Sequence, residues 1–247
     1  MSSRVAIVTG AGRGLGRTIA LDLAARGVDL VLSGRSEDAL RAVEQEIVGR
    51  GGQALVVPAD VSDSAAVARL LGECLQRFSR LDVLVNNAGI TFDKRLTDLE
   101  ESDWDRVIDT NVRGMFLCSR EAGRHFMTVG AGRAINVASV WGLLGRPGFT
   151  AYCASKGAMI NFTRAAAAEW ARFGAQMNAV APGYFATDIN ADFRADEVAV
   201  EKVLRRVPAR RMGEPEELAN LVSYLALDAP DYLTGQTIAV DGGESSV

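Results

Sequence analysis

The segment Tyr152-Cys153-Ala154-Ser155-Lys156 places a phenol and an ammonium four residues apart. On a helix that spacing puts both on one face. With four tyrosines and three lysines in the chain, composition alone yields such a pair about once in twenty chains of this size. A tyrosine at its reference pKa of about 10 is a poor acid–base catalyst near neutrality. A neighbouring cation favours the phenolate and brings the group towards working pH. Ser139, 13 residues upstream, is placed to hydrogen-bond a substrate oxygen, and Asn111 to hold a water linking Lys156 to bulk solvent. His125 is the only histidine, so a Ser-His-Asp hydrolase would have to use it and a multi-histidine metal site is excluded. Its setting, Arg124-His125-Phe126-Met127, reads as the end of an amphipathic helix, where a histidine favours the negative end of the dipole. Cys74, Cys118 and Cys153 are odd in number and lack a C-x-x-C spacing, so they read as reduced core thiols without a metal.

A second group of residues binds rather than reacts. Thr9-Gly10-Ala11-Gly12-Arg13-Gly14-Leu15-Gly16 follows a strand-like run and opens a helix-like one. Glycines there permit a tight turn and close approach to a pyrophosphate, and the helix N-terminus offers free N–H groups. Gly10, Gly14, Leu15 and Gly16 are therefore candidate dinucleotide contacts. An NAD site usually carries a carboxylate at the end of the second strand, where this chain reads Leu32-Ser33-Gly34-Arg35-Ser36. Arg35, with Arg13 inside the glycine turn and Ser33 beside it, suits a 2′-phosphate, which arginine grips in bidentate fashion. The expected cofactor is NADP(H) rather than NAD(H). An oxidised nicotinamide would add to the pull on the Tyr152 proton.

Both groups need a scaffold. Near-continuous apolar runs at Val5–Val8, Leu30–Leu32, Leu55–Val57, Val83–Val85, Ala134–Val137, Met177–Val180 and Thr237–Val240 have the character of strands covered on both faces. Helical segments alternate with them: Arg17–Arg26, Ser36–Arg50, Asp63–Phe78, the long Ser102–Met127, Tyr152–Phe173 and Pro215–Leu227. This alternation predicts an α/β fold, a single-domain, Rossmann-type, doubly wound parallel sheet of about seven strands with helices on both faces. No repeat, linker or composition break divides residues 1–247, and the thirty or so residues around 184–213 read as a lid over the carboxyl end of a strand. Hydrophobic residues make up 48% and charged residues 23%, which excludes a disordered or fibrous chain. The net charge of −4 argues against nucleic acid or an anionic membrane surface as the partner. The first residues run directly into a strand pattern with no leader, and no stretch suits a membrane span, so a cytoplasmic protein is expected.

With these motifs assembled, the chain resembles the classical short-chain dehydrogenase/reductases over essentially its whole length. The matching residues are Thr9-Gly10-x-x-x-Gly14-x-Gly16, Asp60-Val61, Asn86-Asn87-Ala88-Gly89, Asn111, Ser139, Tyr152-x-x-x-Lys156, Pro182-Gly183 with Thr187, and Asp241-Gly242-Gly243. The resemblance implies that Asp60 and Val61 contact the adenine and that Asn87, Ala88 and Gly89 line the cofactor cleft. It implies Tyr152 as acid–base group, Lys156 lowering its pKa and binding the nicotinamide ribose, Ser139 orienting substrate and Asn111 completing a proton relay. Pro182, Gly183 and Thr187 would wrap the nicotinamide. Gly12 departs from the pattern, since NADP-dependent members often carry serine there, which leaves more of that preference to Arg13 and Arg35.

The implied reaction is hydride exchange between the nicotinamide and a secondary alcohol or ketone. Trp141, Leu143 and Phe149 suggest apolar pocket walls, with Val140, Leu144, Tyr184 and Phe185 nearby, while Arg95, Arg146 or Arg194 are candidates to meet an acidic substrate. The stretches Ala181–Thr187 and Pro208–Gly213 resemble gluconate 5-dehydrogenases and related polyol or keto-sugar reductases, so a small keto-sugar acid, polyol or other small carbonyl compound is expected. A 3-oxoacyl-carrier-protein reductase is the alternative. Such enzymes carry basic residues before the fifth strand and near the end of the active-site helix, where this chain has Gly130 and Phe173, with Arg133 and Arg172 close by. A non-catalytic NADP-binding regulator is the reading of another class, opposed by the complete Asn111, Ser139, Tyr152, Lys156 set. Family members are usually homotetramers, and Phe116, Phe126, Phe162 and Trp170 are candidates for the contacts.

Overall fold

Seven short, largely apolar runs become strands, the central ones buried on both faces. In the computed structural model, which describes residues 3–187 and 195–247, they are β1 (Val5–Thr9), β2 (Asp29–Gly34), β3 (Ala54–Pro58), β4 (Val83–Asn86), β5 (Gly132–Val137), β6 (Ala175–Pro182) and β7 (Thr237–Val240). They form one parallel sheet in the order β3-β2-β1-β4-β5-β6-β7. Successive residues of β1 serve opposite cores. Ala6 and Val8 pack under α1 (Gly14–Ala25), α2 (Glu37–Gly49) and the final helix, while Val5 and Ile7 pack with α3 (Ser64–Phe78) and the central helices. The winding reverses between β1 and β4, and ligands of such sheets bind beyond the carboxyl ends of the strands at that point.

The expected long helix over 102–127 is not continuous. It divides into α4 (Glu101–Ile108), a π-helical turn over Asp109–Arg113, and α5 (Gly114–Val129). Asn111 sits in the π-turn, a distortion that commonly marks a functional position. Then come α6 (Thr150–Trp170), α7 (Glu197–Leu204) and α8 (Pro215–Leu227). Proline in the first turn of α8 is joined by a capping box between Glu214 and Glu217.

The structure corrects three local readings. His125 lies a turn before the end of α5, and its Nε2 accepts the Leu81 N–H at 3.4 Å, so it fastens the helix to the approach of β4 instead of serving the dipole. Phe126 and Trp170 are core residues in edge-to-face contact at 6.1 Å and are not free for subunit contacts, whereas Phe116 is exposed. Gly130, Arg133 and Phe173 lie where the strands begin, opposite the carboxyl edge. Arg133 is tied to Asp231 and Leu225 O there, so these positions carry no weight for a site at the other edge of the same chain.

Candidate active site

The glycine turn joins β1 to α1 in a shape only glycine tolerates. Gly10 and Gly14 have φ of +66° and +54°. A Cβ on Gly16 would lie 2.2 Å from the Gly10 carbonyl oxygen. Helix α1 has no side-chain N-cap bond and no acidic residue in its first turn, so its N–H groups stay available to an anion. Leu15 packs its side chain against the core below. Thr9, buried, knits this turn to the next strand. Its Oγ1 accepts the N–H groups of Asn87 and Ala88 at 3.0 Å, and Asn87 Nδ2 donates to Thr9 O and Gly10 O. Ser33, at the end of β2, is fully buried with an Oγ lacking a partner. A glycine cradle, a free helix start and an unsatisfied hydroxyl beside it fit a dinucleotide.

Around the expected adenosine end, Arg13 and Arg35 are exposed and neither forms an ion pair among the described residues. Ser62 bonds Asp60 through its hydroxyl and N–H, at 2.7 and 2.9 Å, and holds the carboxyl below the usual carboxylate range, with Arg35 adding to the effect. Val61 is buried where Gly114, lacking a Cβ, lets α5 close onto it. Gly12 faces Ala39 of α2, and a Cβ there would come within 3.0 Å of the Ala39 Cβ. A serine at this position requires α2 to give way.

Asn111, Ser139, Tyr152 and Lys156 come together at the carboxyl ends of β4 and β5. The Asn111 side chain is engaged on three sides. Its Oδ1 accepts the Ile90 N–H at 2.8 Å, and its Nδ2 donates to Ile90 O at 2.9 Å and Ser155 Oγ at 3.0 Å. It therefore clasps the loop after Gly89 to α6, and its side-chain amide is not the ready water ligand that the sequence suggests. Ser139 Oγ accepts the Trp141 N–H at 3.2 Å, which starts the turn that rests on α6. Lys156 Nζ, on a side chain 3% exposed, donates to Val137 O at 2.7 Å and lies 5.5 Å from the Tyr152 ring centroid.

The protonation states differ from expectation. Burial pushes the Tyr152 phenol up to about 12, although its hydrogen bond with Ser139 opposes the rise. Burial pushes Lys156 down to about 7. The lysine ammonium points at the Val137 carbonyl and not at the phenol oxygen, so within the protein alone it does not make Tyr152 acidic.

Sequence reasoning missed the buried polar ladder behind these groups. Asn86 Nδ2 donates to Ser119 Oγ and Asn136 Oδ1, and Asn136 Nδ2 donates to Thr163 Oγ1. The ladder binds β4 and β5 to α5 and α6, and an asparagine inside the apolar run of β5 was the available signal. Pro182 ends β6. Gly183 sits against Asp241, where a Cβ would be 2.8 Å from the Asp241 Cα. Thr187 is half-buried at the last described position before 188–194. Arg194 and part of the expected lid fall outside the described residues. The described parts of segment 184–213 are anchored by buried Val203 and Val207 and by the Phe185–Gly213 bridge.

Comparison with known proteins decides the family. Residues 10–245 match the family model described as enoyl-(acyl carrier protein) reductase. A 3-oxoacyl-(acyl-carrier-protein) reductase from Synechocystis sp. is 44% identical over 245 residues, 98% of this chain and 97% of the relative. The chain belongs to the short-chain dehydrogenase/reductase family. A gluconate 5-dehydrogenase from Gluconobacter oxydans is 37% identical over 243 residues, 98% of this chain and 95% of the relative. The crystal structure of a gluconate 5-dehydrogenase from Burkholderia cenocepacia in complex with NADP and tartrate superposes with a TM-score of 0.95 at 36% identity, covering 100% of this chain and 97% of that one. This dehydrogenase/reductase is accordingly an oxidoreductase of a nicotinamide-dependent family with the family's single-domain fold. Among the described residues no helix is long and apolar enough to cross a membrane.

Proposed function

We propose that this short-chain dehydrogenase/reductase uses NADP(H) to interconvert a secondary alcohol and a ketone on a small keto-sugar acid, polyol or similar carbonyl compound. The observation that carries the reading is Tyr152, Ser139 and Lys156 converging beyond the switch between β1 and β4, beside a glycine cradle. A bound dinucleotide supplies or accepts the hydride. Ser139 orients the carbonyl oxygen, and Tyr152, protonated at neutral pH, donates its proton to that oxygen during reduction. Lys156, poised near neutrality, stands one helical turn away to hold the ribose and restore the phenol proton. Asn111 keeps the Ile90 loop and α6 in register, and its backbone rather than its side chain is left to hold a relay water. Gly10, Gly14, Leu15 and Gly16 cradle the pyrophosphate, while Ser33, Arg13 and Arg35 meet the 2′-phosphate. Asp60 and Val61 flank the adenine, Asn87, Ala88 and Gly89 line the cleft, and Pro182, Gly183 and Thr187 close on the nicotinamide. The NADP complex of the Burkholderia relative supports that cofactor, and two gluconate 5-dehydrogenases among the relatives support the substrate class. The segment 184–213 serves as the substrate lid. The enzyme is a cytoplasmic homotetramer.

Reduction of a 3-oxoacyl thioester is the second reading, favoured by the 44% identity to the Synechocystis reductase. A rate survey with gluconate, 5-ketogluconate, acetoacetyl thioesters and simple aryl ketones, each with both nicotinamides, separates them. Turnover of the sugar acids supports the first reading, and thioester-only turnover replaces it with the second. Silence across the survey points to a non-catalytic dinucleotide binder.

A further inference from the structure

Beyond the reacting groups, a set of unsatisfied polar side chains lies one indole away from Tyr152. The Trp141 ring makes edge-to-face contacts with Tyr152 at 5.9 Å and with Tyr184 at 5.8 Å. The Arg146 guanidinium sits 5.6 Å from the same ring. The Tyr184 hydroxyl is buried without a well-formed hydrogen bond, the Trp141 indole approaching it without closing one. Glu244 completes the group. It opens the C-terminal turn Glu244–Ser246, is 7% exposed, and its Oε2 has no hydrogen-bond partner among the described residues.

The chain holds Glu244 in place. Ala209 N–H donates to Gly242 O at 3.0 Å, and Gly243, at φ +91°, lies against Pro208. The adjacent Asp241 carboxylate is taken up by the N–H groups of Gly243 and Ser245, so it does not serve this group. Arg146 and Arg206 act electrostatically on both Glu244 and Tyr184, yet neither forms an ion pair among the described residues. A carboxyl oxygen hidden from water without a partner is costly, and burial pushes the Glu244 pKa up. Two guanidiniums without an ion pair, a carboxyl with one unpartnered oxygen and a phenol hydroxyl without a well-formed bond thus lie within electrostatic reach of one another, a polar cluster short of complementary atoms.

We propose that Arg146, Arg206, Tyr184 and Glu244 form the subsite for the distal end of the substrate, and that it selects a hydroxylated carboxylate. The two guanidiniums take the carboxylate, while Glu244 and Tyr184 take hydroxyl groups, so each partner is satisfied only by a ligand carrying both functions. The assignment rests on the proposed reading of the active site as one acting on small sugar acids. It also names residues that this reading does not need.

The test uses the full-length enzyme with NADP(H). D-gluconate and sorbitol, which share hydroxyl groups but differ in the carboxylate, are compared by KM and by equilibrium binding read from tryptophan quenching. Arg146→Gln should raise the KM and Kd for gluconate by about tenfold or more while changing those for sorbitol about twofold or less. Glu244→Gln should weaken both ligands, with NADPH affinity kept in each variant as the check on folding. If the wild type binds and oxidises gluconate but the variants match it, the subsite is overturned and the function stands. If the wild type neither binds nor oxidises gluconate and reduces only a 3-oxoacyl thioester, the function falls and the subsite with it.

Discussion

Tyr152, the proposed proton donor, starts from the protonated side of its titration. In the protein alone burial holds the phenol at about 12, and the Lys156 ammonium is spent on Val137 O. A group raised this far is protonated at every physiological pH, which suits a proton donor in reduction and hinders a base in oxidation. Titration of the phenolate absorbance, taken as wild type minus Tyr152→Phe, should therefore give a midpoint near pH 12 without dinucleotide. With oxidised NADP bound the midpoint should move down by about two units or more. No movement would exclude the cofactor as the source of acidification. Tyr152→Phe should lower kcat by about a thousandfold or more with NADPH Kd unchanged, as measured by turnover and fluorescence titration. Arg35 is exposed and unpaired, so Arg35→Asp should shift the ratio of kcat/KM values towards NAD(H) without loss of stability.

The π-turn between α4 and α5 and the turn after β5 bring these side chains together. Asn111 is the fastening of the first, because one amide satisfies both backbone groups of Ile90 and the Ser155 hydroxyl. Asn111→Ala takes this partner from both Ile90 backbone groups in a water-poor place and leaves Ser155 Oγ only its bond to Tyr152 O, at a cost of roughly 2–4 kcal/mol. Thermal unfolding should fall by roughly 5–15 °C, and kcat should fall with it because the Ile90 loop borders Lys156. A variant with full stability and lost activity would assign Asn111 a purely chemical part. The second element depends on Gly142, whose absent Cβ would lie 2.7 Å from the Lys156 backbone, so the turn carrying Ser139 rests directly on α6. Backbone contact at Gly142 and the Trp141 ring against Tyr152 together set the spacing between Ser139 and Tyr152.

For the molecule entire, the outer surfaces of α4 and α5 expose Trp104 and Phe116, and β7 closes the sheet as an edge strand of apolar residues. These exposed side chains are available for the contacts that a tetramer would need. The proposed tetramer should elute at about four times the 26.3 kDa chain mass. Phe116→Asp should shift that mass downward in light scattering, and a wild-type monomer would end the idea.

The strand runs, the helix starts and the pairing of Tyr152 with Lys156 on one helix were legible because each is local. Near-continuous apolar runs report burial on two faces, a Tyr-x-x-x-Lys spacing reports a shared helix face, and glycine spacing reports a turn. Seven expected strands lie in the sheet, at boundaries within a residue or two of the runs. What the sequence left open depended on groups distant along the chain. The break at Asn111, the Asn86–Asn136 ladder, the core placement of Trp170 and the partnerless Glu244 arise only when segments separated by dozens of residues share one space. The ionisation of Tyr152 and Lys156 belongs with these, since water exclusion is a property of the folded interior and dominates the pull between two neighbouring charges.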